Sequence, residues 1–373
     1  MAKHSIAMLP GDGIGKDVTE TAMMVLEKLG LDAEYRFGDV GWEYWCREGN
    51  PLPDRTIQLL KETDVCLFGA ITSKTADEAL QELSPSLAGK GLKYRSPIVQ
   101  LRQLFDLYVN LRPCKAIPGN PLNYREGIDL VIFRENTEGL YAGVEFHPLP
   151  SEVRKALEKH HLGMKRFSSE DDEDIAISLR LMTKKGCRRI LGKAFGYAKQ
   201  FGRKRVTLVE KANVLRETGG LMIREAQKVA ETHPEITFDV ANVDALAMWL
   251  VKNPDQYEVL VAENLFGDII SDLAAQLVGG LGFSASGNIG DNYAIFEPTH
   301  GSAPKYAGLG KANPIAMINA VIMMLEWLGE LDRSKALEKA VREVIFEGKV
   351  RTYDMGGSAS TTEMARTVAE KIA

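Results

Sequence analysis

Short apolar runs alternate with stretches whose apolar positions recur every three to four residues along most of this chain. "SIAMLP" reads as a strand and "GKDVTETAMMVLEKLG", which follows it, as an amphipathic helix. "VCLFGAI" and "DLVIFRE" read as buried strands, and "RVTLVEKA", "ITFDVANV" and "YEVLVAENL" are strands each followed by a helical pattern. Such alternation predicts an α/β fold with a parallel or mixed sheet covered by helices. Residues 150–180 break the rhythm with dense charge and few strand signals, and read as an exposed insertion. After Glu297 the pattern is mostly helical.

A length of 373 residues suffices for two domains and a large core. A net charge of −5 argues against a nucleic-acid partner, which usually meets a concentrated basic surface. No apolar run reaches membrane-spanning length and "MAKHSIAMLP" has no signal-peptide core, so the expected location is cytoplasmic, with no membrane partner. Cys46, Cys66, Cys114 and Cys187 are widely spaced and read as reduced, incidental thiols.

Within the apolar run "ENLFGDIISDLAAQLVGGLG", Asp268 and Asp272 lie one helical turn apart and so share a face. Two hard oxygen ligands converging on one point suit Mg2+ or Mn2+. Asp268, Asp272 and Gln276 equally suit the wet stripe of an amphipathic helix. Arg102 precedes the strand "DLYVNLRP", and Arg112 and Arg134 are expected at strand ends, where open α/β sheets place ligands and guanidinium forks meet carboxylates. "GDGIGKD" has neither the spacing nor the hydroxyl of a P-loop, and "GGLGFSA" follows a helix where a dinucleotide fingerprint follows a strand. Six histidines without pairing spacing argue against zinc.

"PGDGIG", "DLYVNLRP", "RENTEGLYAG", "EKANVLRETGG", "NLFGDIISDLAAQLVGGLG", "SGNIGD" and "FEPTHGSAPKYAG" occur in the order seen in the metal-dependent, β-decarboxylating dehydrogenases, and the chain resembles the isocitrate/isopropylmalate dehydrogenase family over nearly its full length. The resemblance implies that family's α/β fold, which is not a Rossmann fold. It implies a large domain (1–107 and 279–373) and a small domain (108–278), with the charged insertion at about 145–185 as a dimer clasp. The implied reaction oxidises a 2-hydroxy acid by hydride transfer to a nicotinamide, releases CO2, and protonates the resulting enol.

Residue by residue, the resemblance assigns a divalent metal (Mg2+ or Mn2+) to Asp268, Asp272 and Asp244, the last from a neighbouring subunit. Lys211 matches the catalytic lysine, also donated across a homodimer interface, and Tyr141 the tyrosine that protonates the enol carbon. Arg102, Arg112 and Arg134 match arginines holding the substrate carboxylates, and Ser96 the serine with which isocitrate enzymes bond the γ-carboxylate. Ser96, the lack of the glutamate that isopropylmalate enzymes place nearby and the long charged segment make isocitrate the expected substrate, with homoisocitrate or 3-isopropylmalate the alternatives. Ile98 departs from the isocitrate branch, where asparagine is common. Thr72, Asn213, His300, Asn313 and Asp354 match cofactor contacts. Lys305 and Tyr306 stand where NAD-using members commonly carry Asp-Ile, and with Tyr353 they point to NADP. Gly357 stands where some NADP enzymes carry a further arginine.

Overall fold

A computed structural model describes residues 2–372. The chain begins β1 (His4–Gly11), α1 (Ile14–Lys28), β2 (Ala33–Phe37), α2 (Trp42–Glu48), α3 (Asp54–Lys61), β3 (Val65–Ala70), α4 (Ala76–Gln81) and α5 (Pro97–Leu104). It continues through β4 (Val109–Lys115), β5 (Asp129–Glu135), β6 (Glu145–Phe146), α6 (Ser151–His160), β7 (Ile177–Ser178), α7 (Lys184–Gln200), β8 (Arg205–Glu210), α8 (Arg216–Glu231) and β9 (Thr237–Asn242). The remainder is α9 (Val243–Lys252), β10 (Val259–Ala262), α10 (Asn264–Leu277), β11 (Ala285–Ile289), β12 (Ala294–Pro298), α11 (Ile315–Trp327), α12 (Leu331–Glu347) and α13 (Thr361–Lys371).

Ten strands form one mixed sheet in the order β2-β1-β3-β12-β11-β4-β5-β10-β8-β9. Its two wings are parallel, and the centre is antiparallel: β12 with β11, β11 with β4, and β4 with β5. Fully buried parallel strands need apolar residues on both faces, which Ile6–Leu9 and Val65–Phe68 supply. One face of the first wing packs on α1, α11, α12 and α13, and the other on residues of α3 and α5. The second wing is sandwiched between α7 with α8 and α9 with α10. Helix α11 is apolar nearly all round and is buried accordingly.

The insertion is exposed as its charge density predicts: α6 buries no residue, and only the two-residue pairing of β6 with β7 gives it strand structure. One expectation needs correction. Arg112 lies in the middle of β4, not at its end, because the strand continues through Pro113 to Lys115 along β5. Proline ordinarily ends a central strand, but β11 pairs β4 only from Val109 to Leu111, so Pro113 sits where that side has no partner strand.

Candidate active site

Helix α10 runs against β5 at close range, because Gly267 leaves no Cβ between them. A Cβ there would lie 2.7 Å from the Cβ of Arg134. The helix starts where the Glu263 side chain accepts a hydrogen bond from Phe266 N (2.9 Å), and from that start Asp268 and Asp272 face the side chains of β4 and β5. Arg134 donates to Asp268 through Nη1, and Arg112 donates to Asp272 Oδ1 (2.9 Å) with its Nη2 at 3.4 Å from Asp268. Tyr141, in a short 3₁₀ turn after β5, donates its hydroxyl to the other oxygen of Asp268. Its ring lies 5.0 Å from the Arg134 guanidinium carbon. The first two members of the stripe are therefore bound to arginines, and Gln276 alone continues it as an exposed polar residue.

Arg102, in the last turn of α5, is buried with its Nη2 3.5 Å from Glu297. Ser96 caps the N-terminus of the same short helix without spending its hydroxyl on a capping bond. Each of the three arginines is gripped at Nε by an asparagine carbonyl oxygen: Arg102 by Asn288 (2.9 Å), Arg112 by Asn110 (2.8 Å) and Arg134 by Asn264 (2.9 Å). An amide acceptor fixes a guanidinium without neutralising it, so the positive charge stays available to ligands. Asn110, Asn264 and Asn288 are wholly buried and were absent from the sequence expectations.

Burial by itself would push the Asp268 carboxyl up, but Arg134, Arg112, the Tyr141 bond and Arg102 outweigh it and hold the group below the usual carboxylate value. Burial and the neighbouring guanidiniums bring Arg134 down to about 10, leaving it cationic at neutral pH. Burial and the Asp268 bond raise the Tyr141 phenol, so it stays protonated and keeps a proton to give.

A second group of expected residues meets elsewhere. His300, Tyr306, Asn313, Tyr353 and Asp354 line a cleft of about 250 Å3 that Lys311 also borders. Gly282 forms part of its wall, where a Cβ would lie 2.8 Å from Asp354 Oδ2. The His300 Nε2 atom is buried without a partner, and burial lowers the ring's pKa, so a neutral imidazole offers one unused bond there. Thr72 sits beside the same loop, its hydroxyl 2.7 Å from that of Ser302. Lys305 is exposed on the adjoining turn, with its ammonium 5.2 Å from the Tyr306 ring.

Lys211, Asn213 and Asp244 form a third group. Lys211 Nζ donates to Asp244 Oδ1 (2.5 Å), and that bond lowers the Asp244 carboxyl. Asn213 lies on the exposed turn just after Lys211. Asp244 does not join Asp268 and Asp272: among the described residues no three potential metal ligands converge. Val214 next to Asn213 and Met248 one turn after Asp244 are exposed apolar side chains, and Val240, Val251 and Ile269 are further exposed ones on β9, α9 and α10. The larger cavity, about 320 Å3, holds none of these groups. It opens on the other face of β4, where Leu111, Pro113 and Lys115 alternate with Asn110 and Arg112.

Comparison with known proteins places this geometry in context. The family model described as isocitrate/isopropylmalate dehydrogenase matches residues 5–368. The protein DlpA of Legionella pneumophila is 45% identical over 371 residues, 99% of this chain, although the chain spans only 58% of DlpA's length. The 3-isopropylmalate dehydrogenase of Archaeoglobus fulgidus is 42% identical over 364 residues, covering 98% of both chains. The crystal structure of isocitrate dehydrogenase from Methylococcus capsulatus superposes with a TM-score of 0.86 at 39% identity, covering 99% of each chain. Among the described residues, no helix is long and apolar enough to cross a membrane.

Proposed function

The chain belongs to the isocitrate/isopropylmalate dehydrogenase family, and from that membership we propose that it catalyses oxidative decarboxylation of isocitrate with NADP. The observation that carries the reading is the interlocking of Asp268 and Asp272 with Arg112, Arg134 and Tyr141. Cations that can hold carboxylates and carboxylates that can hold a cation meet in one cluster, as a substrate bearing carboxylates and a divalent metal would require. Asp268 and Asp272 are two hard ligands on one helix face and fit Mg2+ or Mn2+. Asp244 of a second copy would complete the set. Bound there, the ion would supply Lewis acidity to a substrate oxygen.

In this reading Arg102, Arg112 and Arg134 orient the substrate carboxylates, and Ser96 reaches the γ-carboxylate. Lys211, from the second copy, would take the hydroxyl proton, and a nicotinamide held by the second group of residues would accept the hydride. The β-carboxylate departs as CO2, and Tyr141 returns a proton to the enol carbon. The two halves of the sheet are read as a large domain, 1–107 with 279–373, and a small domain, 108–278. The family resemblance and the exposed apolar side chains on β9, α9 and α10 support a homodimer with shared sites.

A second reading has its own support. Ile98 is partly buried against the cluster that contains Leu101 and Leu107, so the turn after Ser96 presents apolar surface where a polar contact is expected for isocitrate. That surface suits the alkyl side of 3-isopropylmalate or the longer chain of homoisocitrate. Following nicotinamide absorbance with isocitrate, homoisocitrate and 3-isopropylmalate, each with Mg2+ and either NADP or NAD, decides the matter. The highest kcat/KM is expected for isocitrate with NADP. Activity confined to 3-isopropylmalate would overturn the substrate assignment.

Cofactor choice rests on Lys305, Tyr306 and Tyr353. Gly357 cannot host an additional cation, since a Cβ there would lie 2.1 Å from the Arg351 carbonyl oxygen. A hydrogen bond to a charged group is commonly worth about ten- to a hundredfold in affinity, so losing the Lys305 contact is expected to weaken NADP by that factor. Substituting Lys305→Asp with Tyr306→Ile goes further: the new carboxylate repels a 2′-phosphate and accepts bonds from the ribose hydroxyls of NAD. The ratio of kcat/KM for NADP to that for NAD should fall well over a hundredfold. An unchanged ratio would remove the 2′-phosphate from this turn.

A further inference from the structure

At the seam between β11 and β4 a buried amide network lies behind the arginines. Asn288 is fully buried in β11, opposite Asn110 of β4. Its Oδ1 accepts three bonds, from Arg102 Nε (2.9 Å), Asn110 Nδ2 (2.9 Å) and Asn136 Nδ2 (3.0 Å). Its Nδ2 donates to Glu297 Oε1 at 2.7 Å. Asn110, oriented by giving its amide hydrogen to Asn288, turns its own Oδ1 to Arg112 Nε. A chain of donors and acceptors thus runs from the Glu297 carboxylate through two asparagines to two guanidiniums.

The chain has only one consistent polarity. Were the Asn288 amide reversed, its NH2 would confront three donors, and its oxygen would confront a carboxylate. The Glu297 charge therefore selects the orientation in which an oxygen meets Arg102 and Asn110. Every member is buried or nearly so, where a mismatched donor or acceptor costs most. Both arginines are held at Nε, while Arg112 Nη1 reaches Ser271 Oγ (2.6 Å) and Asp272 Oδ1 (2.9 Å) and Arg102 Nη2 lies 3.5 Å from Glu297 Oε1.

We infer that Asn288, oriented by Glu297, is a positioning residue that aims Arg102 and, through Asn110, Arg112 at the substrate carboxylates. This rests on the reading that those arginines bind substrate. The same network joins β11, β12 and α5 to β4 and the turn after β5, across the seam between the two wings.

The test uses the donor–acceptor logic. Asn288→Asp keeps the acceptor but sets a carboxylate against Glu297, and is expected to raise the substrate KM about ten- to a hundredfold, with a smaller change in kcat. Adding Glu297→Gln should return KM to within about threefold of wild type. The net charge is then preserved and the new amide donates where Asn288 formerly did. Asn288→Leu removes the acceptor, and Glu297→Gln should not rescue it. Independently of substrate, the Arg102 Nε–H should exchange slowly in the free wild-type protein, faster in Asn288→Asp, and slowly again in the double variant. A folded double variant with KM and exchange no better than Asn288→Asp would overturn the inference, as would an Asn288→Leu protein with unaltered exchange. If exchange follows the expected order while KM never moves, the positioning stands and the substrate role of the arginines falls.

Discussion

Replacing Lys211 with alanine is expected to lower kcat about 10²- to 10⁴-fold, the usual worth of a positioned general base. Lys211 and Asp244 bond to each other and do not cluster with Asp268 and Asp272 among the described residues, and in the proposed reading their work is done on a partner's substrate. The consequence is measurable without knowing any distance across the interface. Inactive Lys211→Ala chains mixed with inactive Asp268→Asn chains form hybrid dimers in which one site carries both lesions and the other carries neither. Random exchange makes half the dimers hybrids, so about a quarter of wild-type specific activity should return. Exchange proven by mass spectrometry with no recovered activity would show that each chain completes its own site.

The second large effect is metal dependence. Chelator should abolish turnover, and Asp268→Asn should cost at least about a hundredfold in kcat/KM by removing a charged hard ligand. A readout that needs no catalysis separates ligation from other roles of Asp268. Mn2+ at a hundred times its Kd stabilises a folded protein by about 2.7 kcal/mol, a rise of several degrees in Tm, and the variant should lose that rise. The substitution also strips Arg134 of its carboxylate partner, so Tm without metal should fall in the variant as well. Equal Mn2+-induced shifts in wild type and variant would remove Asp268 from the metal site.

Much of the architecture was legible because burial leaves a periodic mark. The apolar runs of β1, β3, β5, β8 and β10 and the amphipathic period of α1 and α10 announce themselves, and the aspartate stripe is read directly from a four-residue spacing. The short central strands β11 and β12 were quoted as motifs but not read as strands. "ASGNI" mixes small and polar residues whose faces both meet protein, so it has no alternation to detect. Arg112 was expected at a strand end, and only the pairing pattern shows that the strand runs on through Pro113 along β5. Arginines and aspartates stood out by charge. The asparagines that hold them carry none, and a buried amide in a strand looks the same in sequence as a turn residue, so Asn110, Asn264 and Asn288 stayed hidden.

The order of strands has a consequence for synthesis. Strand β3 receives its outer neighbour from β12, where Cys66 pairs with Ile295, so the partner emerges about 230 residues later. At ribosomal speeds of about 5–20 residues per second, the apolar edge of the first wing stands open for about 10–45 s. During that interval β5, β8, β9 and β10 are complete enough in sequence to assemble their own parallel wing, with β4 antiparallel at its edge, and only afterwards can β11 and β12 slide between the two. Nascent chains stalled before residue 285 should therefore hold a protease-resistant second wing beside an unfinished first one. In a cell, that unfinished edge is what a chaperone would meet.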